Sequence, residues 1–91
     1  MTQYTPTESV KGYGVVEAYI LIQTEVGKAD SVVRQIAAID GVMSAEPVTG
    51  PYDAVIRARA EDVDSLGKLV VAKVQAAAGI TRTLTCPIIK L

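Results

Sequence analysis

Gly50-Pro51-Tyr52-Asp53, near the middle of the chain, sets a turn beside a carboxylate. A glycine turn lets backbone N–H groups approach an anion closely, and Asp53 beside it is placed to accept an ammonium group. A zwitterionic amino acid needs both of its charges met in this way. The structural alternative is a tight hairpin in which Gly50 and Pro51 shape the backbone and Asp53 bonds the turn amides. Thr83 and Thr85 share one parity of a later extended segment and offer hydroxyls to a ligand or a neighbouring subunit, unless they are ordinary β-branched strand residues. Arg57 and Arg59 share a parity with Asp53 and Val55, and Glu17 shares one with Tyr19 and Leu21. If the two segments run antiparallel as sheet neighbours, Glu17 lies near Arg59 or Arg57, and an ion pair at the rim of one sheet face follows. The functional alternative there is an arginine clamp for an anionic substrate.

The rest of the composition narrows the chemistry. There is no His among the 91 residues, which removes the side chain most used for acid–base work near neutral pH and the commonest zinc ligand. Metalloenzyme and Ser–His or Cys–His readings lose their central group, and no metal or cofactor is expected. Cys86 is the only cysteine, so it forms no intrachain disulfide and suits a reducing cytoplasm; without a basic partner it reads as an inert small residue. Nine Lys plus Arg against ten Asp plus Glu give a formal charge of −1, with no basic stripe for a polyanion. Phe and Trp are absent and only four Tyr carry rings, so stacking platforms for bases are not expected. No apolar run approaches the ~20 residues that span a bilayer, and Met1 to Gly14 lacks the apolar core of a secretory signal. A cytoplasmic protein that binds neither nucleic acid nor membrane directly is the expectation.

Elements able to position these groups follow from periodicity. Half of the chain is apolar, at 49%, with thirteen Val and eight Ile, ample for one core. Met1 to Gly14 shows no periodicity and is expected to be an extended or mobile lead-in to a single domain over residues 15–91. Val15 to Thr24 carries apolar residues on both parities, Val16, Ala18, Ile20 and Ile22 on one and Tyr19 and Leu21 on the other, as a strand covered on both faces requires. After Gly27-Lys28, helical spacing of Ala29, Val32, Val33, Ile36 and Ala37 predicts a helix ending at Asp40-Gly41. Val42 to Thr49 is predicted as an edge strand because of Pro47, paired by the Gly50 turn to a strand over Asp53 to Ala60. Asp62 is the expected N-cap of a helix from Val63 to about Ala77, with Val63, Leu66, Val70, Val71 and Val74 on its buried stripe and Gly79 closing it. Ile80 to Ile89, with Pro87, completes the set as a second edge strand.

Strand, helix, strand, strand, helix, strand with right-handed crossovers gives an α+β, ferredoxin-like βαββαβ fold: an antiparallel sheet in order 4-1-3-2 with both helices on one face. The other face is then bare, and Tyr19, Leu21 and Val55 on it form an apolar patch of the kind that marks an interface. A second copy is the most economical cover, so a homodimer is expected.

Val48-Thr49-Gly50-Pro51-Tyr52-Asp53, the following Ala54 to Ala60, and Gly79-Ile80-Thr81-Arg82-Thr83-Leu84-Thr85, with Val26-Gly27-Lys28 after the first strand, resemble the effector-binding domain of the Lrp/AsnC family of amino-acid-responsive regulators. The resemblance spans Val16 to Ile89, and the V-T-G-x-Y-D turn is its most specific part. It implies the ferredoxin-like fold, dimers formed sheet to sheet and often octameric rings. It also implies small effectors, commonly amino acids, held between dimers by Thr49, Gly50, Tyr52 and Asp53 with neighbouring segments. Family regulators carry an N-terminal helix-turn-helix; only Met1 to Gly14 precede the first strand here, so the resemblance is to a stand-alone member. Cys86-Pro87 departs from the branched aliphatic residues usual at that point.

The expected function is a non-catalytic effector-binding and oligomerisation module, acting in transcriptional or metabolic regulation through protein contacts, among them contact with a DNA-binding paralogue. Two rivals stand beside it. One is a small dimeric ferredoxin-like enzyme of the monooxygenase or isomerase type, although such pockets usually rely on His, Trp, Phe or a buried acid. The other is an assembly protein without a ligand.

Overall fold

The computed structural model describes residues 15–89, apart from the side chain of Leu69. The expected lead-in from Met1 to Gly14 lies outside the described residues. Strand β1 (Val16–Thr24), helix α1 (Ala29–Ala37), strands β2 (Val42–Pro47) and β3 (Ala54–Ala60), helix α2 and strand β4 (Ile80–Pro87) follow in the predicted order. Helix α2 is continuous in three parts: α-helical over Val63–Ser65, π-helical over Leu66–Val71 and α-helical again over Ala72–Gln75. All strand pairs are antiparallel and the sheet order is β2-β3-β1-β4, the ferredoxin-like arrangement.

Alternation along β1 divides its side chains as the sequence requires. Ala18, Ile20 and Ile22 are fully buried, opposite Ala58, Ile56 and Ala54 of β3, and they meet Val32 and Ile36 of α1 and Leu66, Val70 and Val74 of α2. Burying each Ile side chain here stabilises the fold by about 1.5–3 kcal/mol. Tyr19 and Leu21 face the other way with Val55, Arg57 and Leu84, on a sheet face that no helix among the described residues covers. Both edge assignments hold, with Pro47 ending β2 and Pro87 ending β4.

Several expectations need correction. β2 stops at Pro47 rather than Thr49, β3 starts at Ala54 rather than Asp53, and β4 stops at Pro87 rather than Ile89. Prolines end the ladders because they lack the donor that would extend them. Val63 is 69% exposed and leaves the buried stripe, because it sits in the first turn beside the cap, before the helix crosses the sheet. The π-helical stretch was not foreseen. There the Ala72 N–H donates five residues back, to the Gly67 carbonyl. Asp62 caps the helix as expected, accepting from the Ser65 N–H at 2.7 Å, which holds its carboxyl below the usual carboxylate range. Among the described residues no helix is long and apolar enough to cross a membrane.

Candidate functional site

The turn between β2 and β3 is tied to the C-terminal end of β1 and closed on itself by hydrogen bonds. The Asp53 N–H donates to the Ile22 carbonyl at 2.8 Å, and the Val48 N–H closes the turn on the Asp53 carbonyl at 2.9 Å. The Thr24 N–H donates to Asp53 Oδ2 at 2.8 Å, and Gln23 Nε2 donates to the Pro51 carbonyl at 2.9 Å. Asp53 therefore bonds the end of the neighbouring strand, not the amides of its own turn. Oδ2 is occupied; Oδ1 has no hydrogen bond among the described residues. The same holds for the N–H groups of Thr49, Gly50 and Tyr52, which leaves three donors on a turn held still from below. Gly50 has a φ of +134°, and a Cβ built on it meets nothing within 4 Å, so its backbone conformation and not crowding demands glycine.

Thr83 and Thr85 lie across β1 from this turn, opposite Ile22 and Ile20, and so on the helix-facing side of the sheet. Thr83 Oγ1 accepts from Gln75 Nε2 of α2 at 3.1 Å. Within one chain the strand-four hydroxyls and the turn are thus separated by the width of β1. Gln23 and Thr24, which hold the turn, were missed from the sequence. Only the β1–β3 register could have revealed them, since it sets Ile22 beside Ala54 and therefore Thr24 beside the turn.

On the open sheet face Glu17 stands opposite Arg59 but bonds diagonally to Arg57, which opposes Tyr19. Arg57 Nε and Nη2 both donate to Glu17 Oε1, at 3.1 and 2.5 Å, and the guanidinium lies 5.6 Å from the Tyr19 ring centroid. Bonding to Glu17 and its negative charge raise the Arg57 pKa above its ordinary value. Arg57 is engaged by Glu17, while Arg59 has no ion-pair partner among the described residues. Around this pair, Tyr19, Val55, Val48, Ser44 and Glu46 line a shallow depression of about 370 Å³. Tyr19 and Leu84 remain 40% and 43% exposed, while Leu21 and Val55 are half-buried. Cys86, opposite Tyr19, is exposed.

A ferredoxin-like domain with a fastened, donor-rich turn at one sheet end belongs to the class of small ligand-binding modules. Residues 17–91 match the Lrp/AsnC ligand binding domain, and the chain belongs to that family. An uncharacterized HTH-type transcriptional regulator of Pyrococcus furiosus is 35% identical over 54 residues, 59% of this chain. The chain spans about a third of that relative's length, the match covering 36% of it. The crystal structure of TTHA0845 from Thermus thermophilus superposes with a TM-score of 0.77 at 29% identity, covering 84% of this chain and 95% of that one. A Neisseria meningitidis transcriptional regulator, NMB0573, solved as a complex with L-Met, shares the fold, with a TM-score of 0.74 at 17% identity over 99% of this chain and 60% of its own. The chain is thus a regulatory effector-binding module of the Lrp/AsnC kind, and its named relatives include transcriptional regulators.

Proposed function

We propose that this module binds an amino acid at the turn of residues 48–53 and carries the signal through contacts between copies of the chain. The observation that carries the reading is the turn itself: Thr49, Gly50 and Tyr52 present N–H groups with no partner among the described residues, while Asp53, Gln23 and Thr24 hold their backbone in place. Such donors suit a carboxylate, and preorganising them lowers the entropy lost on binding. Asp53 Oδ1 supplies the negative charge for the ammonium group. The L-Met complex of NMB0573 supports an amino acid as the ligand class. The uncovered face around Tyr19, Leu21, Val55 and Leu84 supports a dimer formed sheet to sheet, with larger rings built from it. Thr83 and Thr85 contribute, on this reading, only from a neighbouring copy. The output is protein contact inside such an assembly or with a DNA-binding paralogue, in the cytoplasm, without catalysis.

A thermal-shift screen of the common amino acids, with native mass spectrometry of the freshly purified protein, tests this. Stabilisation in proportion to occupancy by one or a few amino acids is the expected result. A chain that assembles but is stabilised by none of them is instead an assembly protein without a ligand. The bond from the Thr24 N–H to Asp53 favours that second reading, because it gives Asp53 a structural task.

A further inference from the structure

At the opposite end of the sheet from the 48–53 turn lies a half-open cleft of about 360 Å³. Sites for small molecules usually measure roughly 300–1,000 Å³. One wall carries Asp40 and Gly41 of the α1–β2 turn and Glu61 just past β3; the other carries Ser65, Val70 and Lys73 of α2. Arg59 borders the cleft too, with its N–H bonded to the Gly41 carbonyl at 2.7 Å, but alternation along β3 directs its side chain to the open face beside Val55 and Arg57. The carboxylates of Asp40 and Glu61 and the Lys73 ammonium have no side-chain hydrogen bond or ion pair among the described residues, whereas the Ser65 side chain is engaged by the Asp62 cap.

The two walls are fixed against each other. Gly41 has a φ of +95°, and a Cβ there would stand 2.8 Å from Val70 Cγ2 and 3.0 Å from the Arg59 carbonyl oxygen, so the turn backbone packs directly on α2. The stretch of α2 that supplies Val70 is the π-helical one, Leu66–Val71. π-Helical turns strain a helix and recur at functional sites.

We propose that this cleft is a second ligand site, distinct from the 48–53 turn, and that it takes a small ω-amino carboxylate. Negative charge stands on one wall, and a cation stands on the other. A ligand that satisfies both must carry an ammonium group towards Asp40 and Glu61 and a carboxylate towards Lys73. An α-amino acid holds its two charges on a single carbon, whereas the charges of this cleft stand on separate elements. A chain of several methylenes separates the charges, and Val70 is among the residues that line its path.

Calorimetric titration of the full chain with 4-aminobutyrate and with 5-aminopentanoate tests the site. At least one of them should bind saturably, and glycine, butyrate and butylamine should bind at least tenfold more weakly. Lys73→Gln and Asp40→Asn should each weaken binding about tenfold or more, the loss expected for one charge-assisted hydrogen bond. Their melting temperatures without ligand should stay at the wild-type value, since both side chains are exposed, and Arg82→Gln should leave binding unchanged. No saturable binding of either ω-amino acid at millimolar concentration overturns the proposal. So does binding that neither Lys73→Gln nor Asp40→Asn alters.

Discussion

Asp53 Oδ2 accepts a hydrogen bond from the Thr24 N–H at 2.8 Å, across a strand boundary and 29 residues along the chain. This contact makes Asp53 a strut as well as a candidate ligand group, and the two tasks separate by substitution. Asn keeps an oxygen for the Thr24 N–H but loses the charge; Ala loses both. Asp53→Ala should destabilise the fold by about 1–2 kcal/mol, and Asp53→Asn by under about 0.5 kcal/mol, in urea unfolding. Asp53→Asn should still abolish amino-acid stabilisation if the carboxylate meets the ammonium group. Equal instability of the two variants would show that the charge, rather than the acceptor oxygen, holds the turn.

Gly41 and Gly50 both have positive φ, yet they differ in surroundings. At Gly50 a methyl group enters open space, so Gly50→Ala should cost only backbone strain, about 1–2 kcal/mol. At Gly41 the same methyl adds a clash with Val70 and the Arg59 carbonyl, so Gly41→Ala should cost about 1–3 kcal/mol more. Chemical denaturation of the two variants side by side checks the order. A Gly41→Ala protein as stable as Gly50→Ala would mean that α2 shifts freely over the α1–β2 turn.

The N-cap of α2 makes stability depend on acid. The Asp62 carboxyl titrates lower in the folded chain than in the unfolded one, because the Ser65 N–H bonds its charged form. That contribution is therefore complete above the unfolded value, about pH 4, and disappears as pH falls through the lower folded value. Asp62→Ala should lower the melting temperature at pH 7, and the gap to wild type should narrow towards pH 2–3. A gap that stays constant across that range would assign the cap's effect to something other than its charge.

The fold was legible because its signals are local. Opposite parities on β1, prolines at both edges, Asp62 at a cap and Gly79 past a helix each act within a few residues. Val63 and the π-helical stretch were not, since exposure at a helix start and a one-residue helical offset depend on where α2 meets the sheet. The candidate site was legible as a turn but not as a mechanism. Asp53 announces a carboxylate, while its bond to Thr24 depends on the β1–β3 register. Likewise antiparallel order predicts that Glu17 meets one of two arginines, but only side-chain geometry selects Arg57 over the directly opposite Arg59.

The open sheet face yields the last prediction. Tyr19 and Leu84 are large, exposed and on the same side of the sheet, and between them β1 and β3 add Leu21 and Val55. If two copies close on this face, a lone carboxylate there enters an apolar interface, which costs several kcal/mol. Tyr19→Asp and Leu84→Asp should each turn the assembly into monomers in sedimentation at micromolar concentration, with circular dichroism still showing the folded sheet. The Glu17–Arg57 pair on the same face sharpens the test. Glu17→Gln strands a guanidinium and Arg57→Gln strands a carboxylate, whereas the double variant strands neither. Each single variant should therefore weaken the assembly more than the double variant does, a coupling that a double-mutant cycle reads directly. Additive losses in that cycle, or Tyr19→Asp and Leu84→Asp proteins that remain assembled, would place the interface on another surface.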